Sequence, residues 1–336
     1  MQAAPVSEAL SGLADEILVH TGQHYDEAMS EAHIHATRLP RPHHNLGVGS
    51  RPLEEQVAIG QERMAEVIAI ESPDVVVVRG DTSATLSGAR AAVGAGIPLV
   101  HVEAGLRSYR DDMPEEHNRI ETDRLADLLL APTPGARANL LNEGVRGRVE
   151  VTGDPLCDTL ERWRPEIVPA EGEYLLATVH RNYNTDAPDR LQAVLECLAR
   201  SPWRVTFPVH PRTRAALKSW GLQVPGNVDL VDPVPYTRML ELERGAQVIA
   251  TDSGGVQREA YLWGVPCITL REETEWVDTV DAGWNVLVGV DPEAFAAAID
   301  HPRPAERPNI FGDGRAAHRI AELVVDLATS DLQEAA

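Results

Sequence analysis

Residues 247–263 read QVIATDSGGVQREAYLW, and this stretch decides the fold. A short apolar run, QVIAT, stops at Asp252 and gives way to Ser253-Gly254-Gly255. A helical pattern through Glu259, Ala260 and Leu262 follows. Strand, small-residue turn and helix in that order form a βα junction. Its small residues let backbone N–H groups approach a ligand closely, and the helix N-terminus favours an anion. The Ser253 hydroxyl adds a donor. The junction therefore reads as a diphosphate cradle, or as a tight turn that needs glycine for backbone reasons alone. Glu259, one turn into the helix, either accepts two ribose hydroxyls or is a solvated helix carboxylate.

Outward from this point the same alternation recurs. Residues 174–179 (YLLATV), 204–209 (RVTFPV), 228–231 (VDLV) and 266–270 (PCITL) read as further buried strands, separated by helical patterns, which is the signature of parallel βαβ units. An earlier set covers residues 16–21 (EILVHT), 74–79 (DVVVVR), 98–102 (PLVHV), 128–131 (LLLA) and 148–152 (RVEVT), with helices over 53–70 and 84–95. The proline-bearing stretch 163–172 has linker character. The sequence thus predicts an α/β protein of two doubly wound, Rossmann-like domains with a cleft between them. The first covers 1–163, joined by a C-terminal helix within 313–330 whose apolar face is Ile320, Leu323, Val324 and Leu327. The second covers 173–309.

The first set opens unusually. Residues 2–14 read as a helix, so the first recognisable strand would be the second of such a fold. A central parallel strand is buried on both faces, and its loss exposes core and leaves ladder groups unpaired. The expectation is that the reading frame extends upstream by one strand and a phosphate loop, about 15 residues.

Composition narrows the function. The formal net charge is −22, and Lys218 is the sole lysine, so arginine supplies nearly all the positive charge. Such a surface repels nucleic acid and anionic membrane, which excludes both as expected partners. It also suits a halophilic, high-salt cytoplasm, where screening is short-ranged. No apolar run approaches the roughly 18 residues of a membrane span, and the N-terminus lacks a basic-then-apolar leader. Cys157, Cys197 and Cys267 have no metal-like spacing and fit a reducing cytoplasm.

Chemistry-bearing residues gather at predicted strand ends, where open α/β sheets bind ligands. In the first domain these are Asp81 (Arg79-Gly80-Asp81-Thr82), Glu103 (His101 to Arg107) and Glu115 (Met113 to Arg119). Paired carboxylates in a dry cleft can serve as base and acid. Asp81 is equally a helix N-cap candidate, and Glu103 and Glu115 equally ion-pair partners for Arg107 or Arg119. In the second domain His180-Arg181 and His210 end strands, where their charge suits phosphate. No His-x₃-His or Cys/His cluster points to a metal.

With these segments in view, the chain resembles the non-hydrolysing UDP-N-acetylglucosamine 2-epimerases along nearly its whole length. The resemblance runs through His20-Thr21-Gly22-Gln23-His24-Tyr25-Asp26, Gly80-Asp81-Thr82, His101 to Arg107 and Pro114 to Arg119. It continues through Val151 to Pro155, His180-Arg181, Pro208-Val209-His210 and Thr251 to Glu259, and ends at Phe311-Gly312-Asp313-Gly314. The segments Leu270 to Val277 and Gly283-Trp284-Asn285 are similar to the archaeal branch, and to enzymes acting on UDP-2,3-diacetamido-2,3-dideoxyglucuronate.

The resemblance implies a glycosyltransferase-B-like pair of domains, a cytoplasmic homodimer in polysaccharide biosynthesis, a UDP-sugar substrate, and no cofactor or metal. It implies that a base removes the C2 proton while UDP leaves C1, and that UDP re-adds after reprotonation on the opposite face. On the matched positions, Asp81, Glu103 and Glu115 form the acid/base set. His210, counted with them as catalytic, stands with Arg181 at the phosphates. His180, Ser253, Gly254 and Gly255 bind the diphosphate, and Glu259 the ribose. Three departures stand out. The family's opening strand and Gly-Thr-Arg-Pro-like loop lie before Met1, and Tyr183 stands where the family has glutamate. Ser50-Arg51 replaces the Arg-Gln pair of members with a regulatory UDP-sugar site, so no such activation is expected. The competing readings are a UDP-sugar-dependent glycosyltransferase and a non-catalytic sugar-nucleotide binder.

Overall fold

The computed structural model describes residues 2–22, 39–301 and 303–334, and it divides into two compact units. Residues 1–161 and 309–336 make one, and residues 162–308 the other. Residues 23–26 of the stretch beginning at His20 lie outside the described residues.

In the first unit β1 (Val19–His20) and β2 (His44–Asn45) form a parallel pair. A separate parallel sheet runs β3 (Val76–Arg79), β4 (Leu99–Val102), β5 (Leu128–Ala131) and β6 (Arg148–Val151), in that spatial order. Strands β4 and β5 are buried along their whole length, as parallel strands covered on both faces should be. Val100, Val102, Leu128 and Leu130 pack against Val6 and Leu10 of the helix Ala3–Leu10 and against Ile320 and Val324 of the helix Ala316–Glu334. Leu323 and Leu327 flank the same cluster, so the apolar stripe read from the sequence is the packed face. The N-terminal helix is shorter than the predicted 2–14. It stops at Ser11, whose N–H returns to the Ser7 and Glu8 carbonyls, because Gly12 turns left-handed at φ +83°. Among the described residues no strand pairs with the free edge of β3, where Val77 remains 38% exposed. The short β2 escaped the sequence reading because two residues show no periodicity.

In the second unit β7 (Tyr174–Thr178), β8 (Arg204–Pro208), β9 (Val228–Val231), β10 (Val248–Thr251), β11 (Cys267–Thr269) and β12 (Asn285–Leu287) form one parallel sheet. The spatial order is β12-β11-β10-β7-β8-β9. Alternate residues bury opposite faces. Leu175, Ala177, Val205 and Phe207 enter one core, and Tyr174, Leu176, Ile249 and Cys267 the other. The strand order reverses between β7 and β10, whose register pairs Thr178 with Thr251. This is the topological switch point where doubly wound sheets place ligands. Strand β12 was not read from the sequence, since Gly283 and Trp284 break the apolar run before it.

Candidate functional site

The loops that leave β7 and β10 carry the second unit's site residues, and one carboxylate joins them. Asp252, fully buried, accepts the backbone N–H of His180 at 3.1 and 3.2 Å and that of Arg181 at 3.0 Å. It also accepts the Asn184 amide at 3.0 Å, and Asn184 donates on to the Leu270 carbonyl at 3.1 Å. Below them the Thr178 and Thr251 hydroxyls meet at 2.5 Å. Asp252 therefore fixes where His180 and Arg181 stand. It lay inside the stretch that decided the fold, yet the sequence reading treated it only as a turn residue.

Ser253 caps the helix Gly254–Trp263, its Oγ accepting the Val256 N–H at 3.4 Å. Since the hydroxyl accepts there, its proton is left for an outward acceptor. Gly254 is required by its neighbours: a Cβ would meet Glu275 Oε1 at 2.5 Å and Trp276 Nε1 at 2.8 Å. Gly255 is not. A Cβ there would meet only Ser253 Oγ, at 3.6 Å. One glycine answers to packing, and the other leaves the helix start bare. Behind the turn, Arg258 lies 3.9 Å over the Trp276 ring, and the buried Arg271 reaches Glu273 at 3.0 Å and Glu275 at 2.8 Å. These backing residues escaped the sequence reading because an alternating run of charge and threonine looks like a solvated loop.

His210 ends β8 as the cap of the helix Pro211–Ser219, its Nδ1 accepting the Arg212 N–H at 3.2 Å. An accepting Nδ1 places the neutral ring's proton on Nε2, free to donate to an anion. His180 feels His210 as a neighbour. The His180 imidazole, whose side chain stays half exposed, is held below its ordinary value by partial desolvation against the loop backbone, and the Arg181 and His210 charges push the same way against Asp252. Tyr183, in the position where glutamate was anticipated, lies 6.0 Å below the Arg190 guanidinium. Burial pushes its phenol up, against the opposing charge of Arg271. Glu259 is buried and accepts the Tyr236 hydroxyl at 2.7 Å, which removes the solvated-carboxylate alternative.

In the first unit Asp81 and Glu103 follow directly on β3 and β4. Glu103 sits at φ +72°, a left-handed backbone that a non-glycine residue adopts only under constraint. The constraint is Gly105, φ +85°, where a Cβ would strike the Ala136 carbonyl oxygen at 2.3 Å. Glu103 faces Arg79 at 3.3 Å, so the ion pair offered as its structural alternative is made with Arg79 and not with Arg107 or Arg119. Arg107 instead holds Asp123 at 2.8 Å and Glu143 at 2.7 Å in a buried network that continues to His101, 2.7 Å from Asp123. Burial works to lower the Arg107 pKa, but the Glu143 hydrogen bonds and the Asp123 charge outweigh it and raise it.

Arg119 pairs with Asp81 and Glu116, while Asn118 donates to the Asp81 carbonyl at 2.9 Å. Asp81 is not the helix cap; Thr82 takes that place for the helix Ser83–Ala95. Glu115 lies half-buried in the first turn of the helix Pro114–Leu125. Its neighbour Glu116 turns inward, accepting the Ser108 N–H at 3.0 Å and the Tyr109 N–H at 2.9 Å. Ion pairing thus positions Asp81 and Glu103, and Glu116 braces the loop. Among the described residues no group of three or more His, Cys, Asp or Glu could hold a metal ion, and no helix is long and apolar enough to cross a membrane.

Comparison with known proteins shows the family. Residues 9–325 match the family model described as UDP-N-acetylglucosamine 2-epimerase. A UDP-N-acetylglucosamine 2-epimerase homolog of Methanococcus maripaludis is 40% identical, with 96% of each chain covered. The UDP-2,3-diacetamido-2,3-dideoxy-D-glucuronate 2-epimerase of Pseudomonas aeruginosa is 37% identical, with 97% of this chain and 96% of that one covered. The crystal structure of Methanocaldococcus jannaschii UDP-GlcNAc 2-epimerase in complex with UDP-GlcNAc and UDP superimposes with a TM-score of 0.86 at 36% identity, covering 97% of this chain and 96% of that one. The chain belongs to the UDP-N-acetylglucosamine 2-epimerase family of nucleotide-sugar isomerases.

Proposed function

We propose that this chain interconverts UDP-N-acetylglucosamine and UDP-N-acetylmannosamine by eliminating UDP and adding it back. The observation that carries the reading is the tie Asp252 makes at the switch point, which gathers cationic and N–H donors where a diphosphate would lie. The reaction breaks the C2–H and C1–O bonds. A carboxylate takes the C2 proton, the C1–O electron pair leaves with UDP, and a C1=C2 double bond remains. A proton delivered to the opposite face and return of UDP to C1 complete the inversion.

Negative charge grows on the departing diphosphate. Arg181, His180, the Nε2–H of His210, Ser253 and the bare N–H groups at Gly254 and Gly255 stabilise it. Asp81, Glu103 and Glu115 handle the proton, and Glu259 holds the ribose. No step needs a cofactor. The same reading makes the protein a cytoplasmic homodimer in polysaccharide biosynthesis, adapted to high salt, with neither nucleic acid nor membrane as partner. Three buried, unpaired cysteines and the −22 charge support the compartment and the salt adaptation.

The similarity to the Pseudomonas diacetamido-glucuronate epimerase favours a second reading, in which the sugar carries a 3-acetamido group and a C6 carboxylate. Incubation with each UDP-sugar alone, followed by proton NMR, tests both. A C2 epimer names the substrate. Absence of reaction until an acceptor is added would indicate a glycosyltransferase, and binding without turnover a non-catalytic binder.

A further inference from the structure

Two residues before Glu103, β4 carries a histidine that the reaction scheme does not use. His101 is fully buried, and each of its ring nitrogens meets an oxygen. Nδ1 lies 2.7 Å from a carboxylate oxygen of Asp123, and Nε2 lies 2.9 Å from the Gly80 carbonyl oxygen. A carbonyl oxygen only accepts, so Nε2 must donate. The other oxygen of Asp123 takes the Gly105 N–H at 3.2 Å and faces the Arg107 guanidinium at 2.8 Å, so Asp123 accepts on both sides. Nδ1 must therefore donate as well, and a ring that donates from both nitrogens is an imidazolium. His101, Asp123, Arg107 and Glu143 then alternate in sign, and the network is neutral as a whole.

The partners of this pair belong to the two loops that carry the carboxylates Asp81 and Glu103. Gly80 precedes Asp81, and β4 clamps its backbone twice. Its N–H donates to the Val102 carbonyl at 3.1 Å, and its own carbonyl takes the His101 proton. Gly105 follows Glu103, and Asp123 holds its N–H. Gly80 and Gly105 are both left-handed, at φ +72° and +85°, so each loop turns at the residue the pair grips. One hydrogen-bonded chain, from Gly80 through His101 and Asp123 to Gly105, thus joins the turn beside Asp81 to the turn beside Glu103.

We propose that His101 is a positioning residue for Asp81, and that the doubly donating His101–Asp123 pair sets the spacing between the Asp81 and Glu103 carboxylates. The proposal rests on the reading that these two carboxylates handle the C2 proton. Groups that add and remove a proton on opposite faces of one carbon need a fixed separation, and a misplacement of about 1 Å costs on the order of 10²-fold in rate. A neutral ring keeps only one of its two contacts, because its bare nitrogen then faces an oxygen lone pair. The second proton is what lets one ring grip Gly80 and Asp123 at once. Asparagine at position 123 satisfies the same geometry with one proton fewer. Its oxygen takes the Gly105 N–H and Arg107, and its amide N–H donates to a bare Nδ1 while Nε2–H stays on Gly80.

The test follows the ring nitrogens of isotope-labelled histidine by NMR in the full chain, and measures turnover per folded molecule and the Kd for UDP in two variants. His101 is the one buried histidine among the described residues, so slow solvent exchange identifies its signals. At neutral pH the wild-type ring should carry protons on both nitrogens. In Asp123→Asn the same ring should carry a proton on Nε2 alone, with most of the turnover kept. His101→Phe, which fills the space and grips neither partner, should lose on the order of 10²-fold in kcat. Its Kd for UDP should be unchanged, because the nucleotide-binding residues stand on the second unit. A His101→Phe protein with a lowered melting temperature and wild-type turnover per folded molecule would overturn the proposal. So would a wild-type His101 ring with a single proton, which remains measurable if the phenylalanine variant does not fold. If wild type epimerises no UDP-sugar, the proton-handling reading falls and the positioning role with it; the ring-proton count is read independently of turnover and tells the two failures apart.

Discussion

The carboxylate of Asp252 accepts the backbone N–H of His180 at 3.1 Å while itself fully buried. Strands β7 and β10 lie side by side with Thr178 opposite Thr251, so this contact closes the switch point one residue beyond the sheet. Replacing Asp252 by alanine leaves the His180 and Arg181 N–H groups without their acceptor and frees the loop. Hydrogen bonds to a charged group contribute about 1.5–3 kcal/mol. The expected result is a loss of about 3 kcal/mol in urea-unfolding stability and a UDP affinity at least tenfold weaker. An alanine variant that binds UDP as wild type does would show that the loop is held by other means.

Asp81→Asn and Glu103→Gln separate chemistry from scaffolding. Each side chain meets an arginine, Arg119 and Arg79 respectively, and both are partly accessible, so folding should be lowered by about 1 kcal/mol. If they handle the C2 proton, kcat should fall by about 10²–10⁴ while the Kd for UDP changes little. Purely structural side chains would give the opposite split, with a lower melting temperature and turnover per folded molecule intact.

The cysteines offer a check on the cores. Burial pushes the thiol pKa values of Cys157, Cys197 and Cys267 to about 12. The thiolate is the reactive species, so a disulfide reagent at pH 8 should label none of the three in the native protein and all three in guanidinium chloride. Rapid native labelling of Cys267 would mean that the sheet of the second unit opens readily.

Self-repulsion among −22 charges is screened as ionic strength rises. The thermal midpoint should climb between low salt and molar KCl. A midpoint indifferent to KCl would argue against adaptation to salt.

Much of this was legible in the sequence because parallel strands covered on both faces must be apolar throughout, as LLLA at Leu128–Ala131 is. The helix face at Ile320 and Val324 was legible for a related reason, the 3.6-residue period. Glycine marked the cradle, but only the fold shows that Gly254 answers to Glu275 and Trp276 while a Cβ on Gly255 would make only an ordinary contact with Ser253 Oγ at 3.6 Å. Ion-pair partners were not legible. Glu103 chose Arg79 over Arg107 because the chain turns left-handed at Glu103, and Arg107 is drawn inward to Asp123 and Glu143. Long-range partners such as Tyr236 at Glu259 belong to helix packing, which local spacing does not encode.

The central claim is proton transfer at C2, and solvent isotope incorporation tests it most directly. The chain is incubated with UDP-N-acetylglucosamine, and separately with the diacetamido-glucuronate analogue, in heavy water, and C2 is followed by proton NMR. The expected result is a C2 epimer from one of the two, with deuterium at C2 in the product and, as equilibrium is approached, in recovered substrate. Epimer formed with its C2 protium retained would contradict the account, as would neither sugar being epimerised by protein that binds UDP.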